Sequence, residues 1–367
     1  MDILDSALVV EEKIDELNET VSILDDEAVM IMHRIFVWVV SLYIPIIMST
    51  NTLVFWGIVL YPGFYTSNNM LLVSLACADF LMGGFCLPLY ILCYSRPTRE
   101  IIANNKYACL TRLSSVTLTV GGSIVSLLMI TIDRYLAILY PFLYSKWISV
   151  ERTIKAIVAM WLLVLCIAII PFLGWNNYDY EIKDPHRRCN FYITVPWHYV
   201  LWANIVTSQS CILLSAALNG HIIYVVRKQI IWFRAQKSRW SKEQSRHFEQ
   251  RVNSVKITVT LMVLFIILWF PYLMIAPLKL NHVFSPENIE VAKCITLLIS
   301  FANSLVNAPI YAILRVEYRA VYRRMLTTSP MQWKSELRNL YRLKHSVPKK
   351  RKKKSSTLLS NKENPRS

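Results

Sequence analysis

Charge is what this sequence has least of. Only 17% of its 367 residues are Asp, Glu, Lys or Arg, where soluble domains carry about a quarter. Glycine is scarce too, at 8 residues, so the 54% hydrophobic content does not come from a low-complexity stretch. The apolar–polar alternation of barrel strands is missing. No His-x-x-x-His with an intervening Glu, Gly-x-Ser-x-Gly, phosphate-binding glycine loop or Cys-x-x-Cys occurs. His198 and His221 stand alone without metal-ligand spacing. These absences argue against an enzyme. No internal repeat and only one mid-span acid are found, which argues against a transporter or channel.

What is present is a set of apolar runs longer than about 18 residues, the mark of a polytopic helical membrane protein. The run 113–132 is uncharged. Its twenty residues at ~1.5 Å rise make about 30 Å, the thickness of a bilayer core. It ends in Asp133, Arg134 and Tyr135, a charged pair and a ring at the membrane surface. Seven spans are expected, near 33–60, 68–94, 107–139, 152–174, 196–228, 250–278 and 288–313. The start, Met1-Asp2-Ile3-Leu4-Asp5, has neither a basic nor an apolar signal-peptide region, so the first span is expected to target the chain.

The net charge of +16 is unevenly placed. Residues 1–30 are acidic, with Lys13 as their one basic residue. Basic residues collect after the third span (Lys146, Arg152, Lys155), between the fifth and sixth, and in the tail, including Lys349 to Lys354. Positive-inside charge explains this better than nucleic acid does and sets the N-terminus outside. The expected domains are an acidic extracellular N-terminus (1–32), the seven-helix bundle (33–314), an amphipathic membrane-surface helix (315–326) and a basic disordered cytoplasmic tail (327–367). The tail's Lys and Arg suit anionic lipid. Asn18-Glu19-Thr20 is the one sequon and would lie outside, where it could be glycosylated. Six cysteines lie within apolar runs; Cys109 and Cys189, at a span end and in a loop, are the candidate disulfide pair.

An ionisable side chain in mid-membrane costs at least ~2.5 kcal/mol. Asp79 sits there in the second span, and no Lys or Arg lies at its depth. Ser123, Asn303, Ser304 and Asn307 are the polar groups that could meet it. Two readings stand equally: a small sodium site, or a protonated Asp bonded to those groups. Pro45, Pro88, Pro171, Pro271 and Pro309 lie in or near spans and can kink them. Pro271 follows Trp269, where a bend and a bulky ring could couple.

Across residues 33–328 these motifs resemble the rhodopsin-like (class A) G protein-coupled receptors. Asn51, Leu75-Ala76-Cys77-Ala78-Asp79, Cys109 twenty-five residues before Arg134, Trp161, Pro171, Trp269-Phe270-Pro271, Tyr224 and Tyr311 stand in the family's order. The resemblance implies an all-α seven-transmembrane bundle with a short eighth helix, in the plasma membrane. It makes Asp133, Arg134, Tyr135, Tyr224 and Tyr311 the G protein-coupling switch, and Trp269 and Pro271 the activation toggle. The sodium reading of the polar groups places an allosteric ion among Asp79, Ser123, Asn303 and Asn307. The resemblance implies no other cofactor. The partners it implies are a heterotrimeric G protein, arrestin and a receptor kinase acting on tail residues such as Thr327, Thr328 and Ser355.

The segments Gly174-Trp175-Asn176-Asn177 and Cys189 to Pro196 are similar to adenosine receptors, as is Phe191. Ala276 and Phe301, however, replace the asparagine and histidine those receptors keep, so the expected ligand is not adenosine itself. Val116 stands where amine receptors carry an aspartate, and Phe301 where opsins carry the retinal lysine. Arg112 and Lys293 sit at the mouth of an apolar pocket made of Val116, Val120, Trp269, Tyr272, Leu273, Leu297 and Phe301. They suit an anionic lipid-like ligand, with a nucleoside-like one as the alternative; both cations could instead simply reach water.

Three departures concern signalling. Span seven reads Asn307-Ala308-Pro309-Ile310-Tyr311, with its proline one place late. Ala216 replaces the span-five proline, and Arg251 stands where span six usually carries the acid that pairs with Arg134. Without that acid the resting state is expected to be weaker, which keeps a ligand-independent receptor open as the rival reading.

Overall fold

The computed structural model describes residues 2–183, 185–236, 240–275 and 285–345; the side chains of residues 2–26, 186, 187, 192, 203, 204, 247, 286, 287, 316 and 345 lie outside that description. Every element among these residues is helical. Seven helices are long and apolar enough to cross a membrane: Glu27–Leu60, Ser67–Tyr94, Lys106–Leu139, Val150–Leu173, Trp197–Ala235, Lys242–Leu273 and Asn288–Leu314. Polar caps start several of them at the water boundary. Asn105 accepts from the Ala108 backbone at 3.0 Å, Ser149 from Arg152 at 3.3 Å, and Ser241 forms a capping box with Gln244. Such caps satisfy backbone N–H groups that the helix leaves without partners.

The prolines do not all end their helices. Pro45, Pro271 and Pro309 lie inside theirs. A π-helical turn over Met82–Cys86 precedes Pro88 and absorbs the lost hydrogen bond. A second π turn, Val200–Val206, opens the fifth span, which lacks the usual proline. The seventh span breaks at Ala302 into Pro286–Phe301 and Asn303–Leu314.

The third span is the hub and packs against the second, fourth, fifth and sixth. At Gly122 it comes so near the fourth that a Cβ would lie 2.8 Å from the Trp161 ring. The Trp161 indole donates to Ser74 on the second span at 2.9 Å, tying three helices together. One apolar cluster fills the inner half of the bundle and another, around Phe36, Tyr90, Leu297 and Phe301, the outer half.

The surface helix expected over 315–326 spans Val316–Leu326 and buries Tyr318, Val321 and Met325. The expectation of disorder beyond it fails for Trp333–His345, which is a helix. Trp333, Leu337, Leu340 and Tyr341 recur at helical spacing. They bury Leu337 completely in the inner cluster, and Tyr341 meets the Tyr61 ring at 5.7 Å. Glu336–Arg324 and Lys344–Glu317 ion pairs fasten this helix to its predecessor. Polar composition hid that short apolar period. Residues 346–367 lie outside the described residues.

Candidate functional site

The polar side chains collect at three depths along the bundle axis. At the outer end, Cys109 at the top of the third span and Cys189 form a disulfide. Below it opens a cavity of about 60 Å³, lined by Tyr90, Arg112, Phe191, Tyr272, Lys293 and Leu297, among others. Five of the expected pocket residues therefore line one space. Val116 and Val120 pack beneath it against Phe301. Leu273 is 37% exposed and does not line this cavity. Ala276 lies outside the described residues.

The two cations at this mouth have different surroundings. Lys293 is paired with Glu290, one turn earlier on its own helix, and Glu290 lies 3.5 Å from His33 of the first span. Arg112 is buried, at 8% exposure. It donates to the Cys189 carbonyl and lies 5.3 Å from the Tyr90 ring centroid, while its Nε has no hydrogen-bond partner. Among the described residues no carboxylate is paired with it. The i,i+3 spacing of Glu290 and Lys293 was a legible pairing signal; the roles of Tyr90, Tyr94 and Arg99 at the cavity were not legible.

At mid-depth Asp79 is fully buried. Ser304 donates to one carboxylate oxygen at 2.8 Å and the Asn307 amide to the other at 2.7 Å. Ser123 is not a partner, because its hydroxyl bonds the Thr119 carbonyl of its own helix at 3.1 Å. Asn303 is buried nearby in the chain with an unpartnered Oδ1. Above this layer Trp269 lies buried between Phe265 and Tyr272, at 6.0 and 6.1 Å, its indole N–H unpartnered.

At the inner end Arg134 binds the Asp133 carboxylate with two of its nitrogens. Tyr144, in the loop after the third span, donates to the other Asp133 oxygen at 3.0 Å. Burial, then the adjoining Asp133 charge, pushes the Tyr144 hydroxyl up to about 12, so it remains a donor at physiological pH. Arg251, where the family's acid would stand, is exposed. Ser254, three residues further into the sixth span, accepts from Arg134 at 3.1 Å and from Arg315 at 2.9 Å. A contact between the third and sixth spans therefore exists, with a neutral acceptor in place of a carboxylate. The sequence offers no signal for it, since a serine one turn beyond Arg251 is unremarkable.

The remaining switch candidates separate. Tyr135 shares a hydrogen bond with His221 of the fifth span at 3.1 Å, so this histidine is not isolated. Tyr311 is buried with its hydroxyl unpartnered. Tyr224 is 57% exposed under Lys228 and does not reach Arg134. The helix turns it outward, one turn beyond His221. The Asn18 side chain lies outside the described residues.

Residues 50–311 match the family described as the 7 transmembrane receptor (rhodopsin family). The chain belongs to that receptor family. It is 26% identical over 277 residues to rat adenosine receptor A2b, covering 71% of this chain and 80% of that receptor. It is 28% identical over 289 residues to dog adenosine receptor A2a, covering 75% and 68%. As a member of the rhodopsin family, the protein is a multi-pass plasma membrane receptor that signals through a G protein in answer to a small-molecule ligand, and it is not an enzyme.

Proposed function

We infer that the ligand carries an anionic group, a carboxylate or a phosphate, and that Arg112 receives it. The observation behind this reading is a buried guanidinium, facing a cavity, with an unpartnered nitrogen and no acid beside it among the described residues. A buried cation is costly unless it is paired. The aromatic walls, Tyr90, Phe191 and Tyr272, suit an apolar or flat body attached to that anion, such as a lysophospholipid or a nucleotide. The ligand is then neither adenosine itself nor a cationic amine, which would meet Arg112 with the same sign. Retinal has no lysine at Phe301 to bind. The N-terminus faces the outside, and arrestin and a receptor kinase act on the inner face. The test is a cAMP and calcium screen of transfected cells with lysophosphatidates, nucleotides, short carboxylates and uncharged nucleosides. An anionic agonist supports the reading; a response to nucleosides alone overturns it.

The Asp79 layer fits a sodium ion. An ionised Asp79 would accept from both Ser304 and Asn307, its charge balanced by an ion rather than by a proton. That charge has no cation beside it among the described residues, and Asn303 keeps an orphaned buried oxygen. Asp79, Ser304 and Asn307 would hold the ion, and its charge would steady the packing of the second span on the seventh. Raising NaCl at constant ionic strength should lower basal signalling, and Asp79→Asn should abolish that dependence. A flat response in the intact receptor argues for the hydrogen-bonded acid alone.

Activation would swing the inner half of the sixth span outward about Pro271 and free Arg134 for the G protein. A ligand drives this only by its difference in affinity for the two packings. The Ser254 contact favours a second reading, of appreciable ligand-independent signalling, because a neutral hydroxyl holds Arg134 less tightly than a carboxylate would. Removing a hydrogen bond to a charged group costs roughly 1.5–3 kcal/mol in the packing that makes it. Ser254→Ala should therefore raise basal cAMP or calcium signalling about tenfold, and Ser254→Asp should lower it below the natural level. Unchanged basal activity in both variants would remove this contact from the resting state.

A further inference from the structure

The first helix does not begin at the membrane. It runs without a break from Asp2 to Leu60. Residues 2–26 extend it about 38 Å beyond the first span at ~1.5 Å per residue, where water rather than lipid surrounds it. That extension carries an unbroken heptad pattern. Ala7, Ile14, Val21 and Ala28 occupy the a positions, and Ile3, Val10, Leu17, Leu24 and Ile31 the d positions. No charged residue interrupts the seam. A strict seven-residue apolar repeat sustained over four heptads marks a coiled coil.

We propose that this helix pairs in parallel with the same helix of a second copy of the chain. Three observations select that partner. First, β-branched residues at the central a positions with Leu at d favour two parallel strands, and two copies inserted in one membrane are necessarily parallel. Second, the acids are placed for self-pairing. Seven of the ten in residues 1–30 take b, c or f positions, and every f position from Asp5 to Asp26 is acidic. The flanking g-to-e pairs of a parallel dimer, such as Lys13–Asn18 and Thr20–Asp25, bring no like charges together. Third, the described part of the helix shows which side is free. Its f and b positions His33, Phe36, Val40 and Ile47 are buried in the receptor's own bundle. Its d and a positions Ile31, Ile35, Trp38 and Leu42 are 49%, 46%, 73% and 64% exposed. The seam thus runs on into the span along the side opposite the bundle, which leaves it for another molecule.

The test uses the full-length receptor in cell membranes. Under mild oxidation Leu17→Cys and Leu24→Cys should each give a disulfide-linked species of twice the chain mass. Glu19→Cys, at an f position, and the natural chain should give little. Single-molecule bleaching of the labelled receptor should show two steps per spot, falling to one in Leu17→Asp/Leu24→Asp while surface expression persists. A one-step natural receptor, equal cross-linking at position 19, or a cross-linked product of any other mass overturns the proposal. A double variant that still bleaches in two steps overturns it as well.

Discussion

Arg134→Ala abolishes G protein activation at unchanged surface expression. The guanidinium is 16% exposed and held by Asp133, Tyr144 and Ser254 at the inner end of the bundle, with no part in the apolar core. Its loss therefore leaves the packing of the spans intact. It does remove a cation held inward at this end, which an outward swing of the sixth span would expose. The variant also frees Asp133, whose remaining partner, Tyr144, is a neutral donor. Surface labelling and an agonist-independent GTP-exchange assay separate loss of coupling from loss of folding. Undiminished exchange would mean that the inner face couples through other residues, such as Arg315.

Arg112→Ala, tested on whichever anion activates the receptor, lowers its potency by roughly 100-fold. Truncating one partner of a buried charge pair costs about 2–5 kcal/mol, much of it from stranding the other charge, and each 1.4 kcal/mol is a factor of ten. Arg112→Lys should recover part of the potency, because the charge returns without the bidentate fork. Lys293→Ala should do far less, since Lys293 already neutralises Glu290. A concentration–response series over the three variants checks this. Equal losses at Arg112 and Lys293 would indicate a ligand that bridges both cations and draws Lys293 away from Glu290.

Much of the site was legible because it is written locally. A fully buried acid among apolar residues, a charged pair closing a twenty-residue uncharged run and a cysteine at a fixed distance from it need no tertiary information. Placing Ser304 beside Asp79 did, since any of four mid-depth polar groups had the right depth. Ser123 lost that contest to a carbonyl one turn away, a choice that depends on helix rotation. Tyr224 and Leu273 are likewise exposed, on helix faces that their positions along the chain do not give. The helix at 333–345 was missed for another reason. Its buried Leu337 and the part-buried Trp333, Leu340 and Tyr341 stand among charged residues, and only the surface they cover makes them a face.

The sequence by itself determined the seven spans, their order and the depth of each polar residue, because the thickness of the bilayer converts position along an apolar helix into height. Tertiary structure alone decided who meets whom at a given height. It brought His33 of the first span to Glu290 and, among the described residues, left Arg112 without an acid. It gave Arg134 a serine in place of the missing carboxylate. It turned one side of the first helix away from the bundle. Those outcomes depend on the angle about each helix axis and on the distance between helices, which packing against the third span fixes and which no one-dimensional pattern contains.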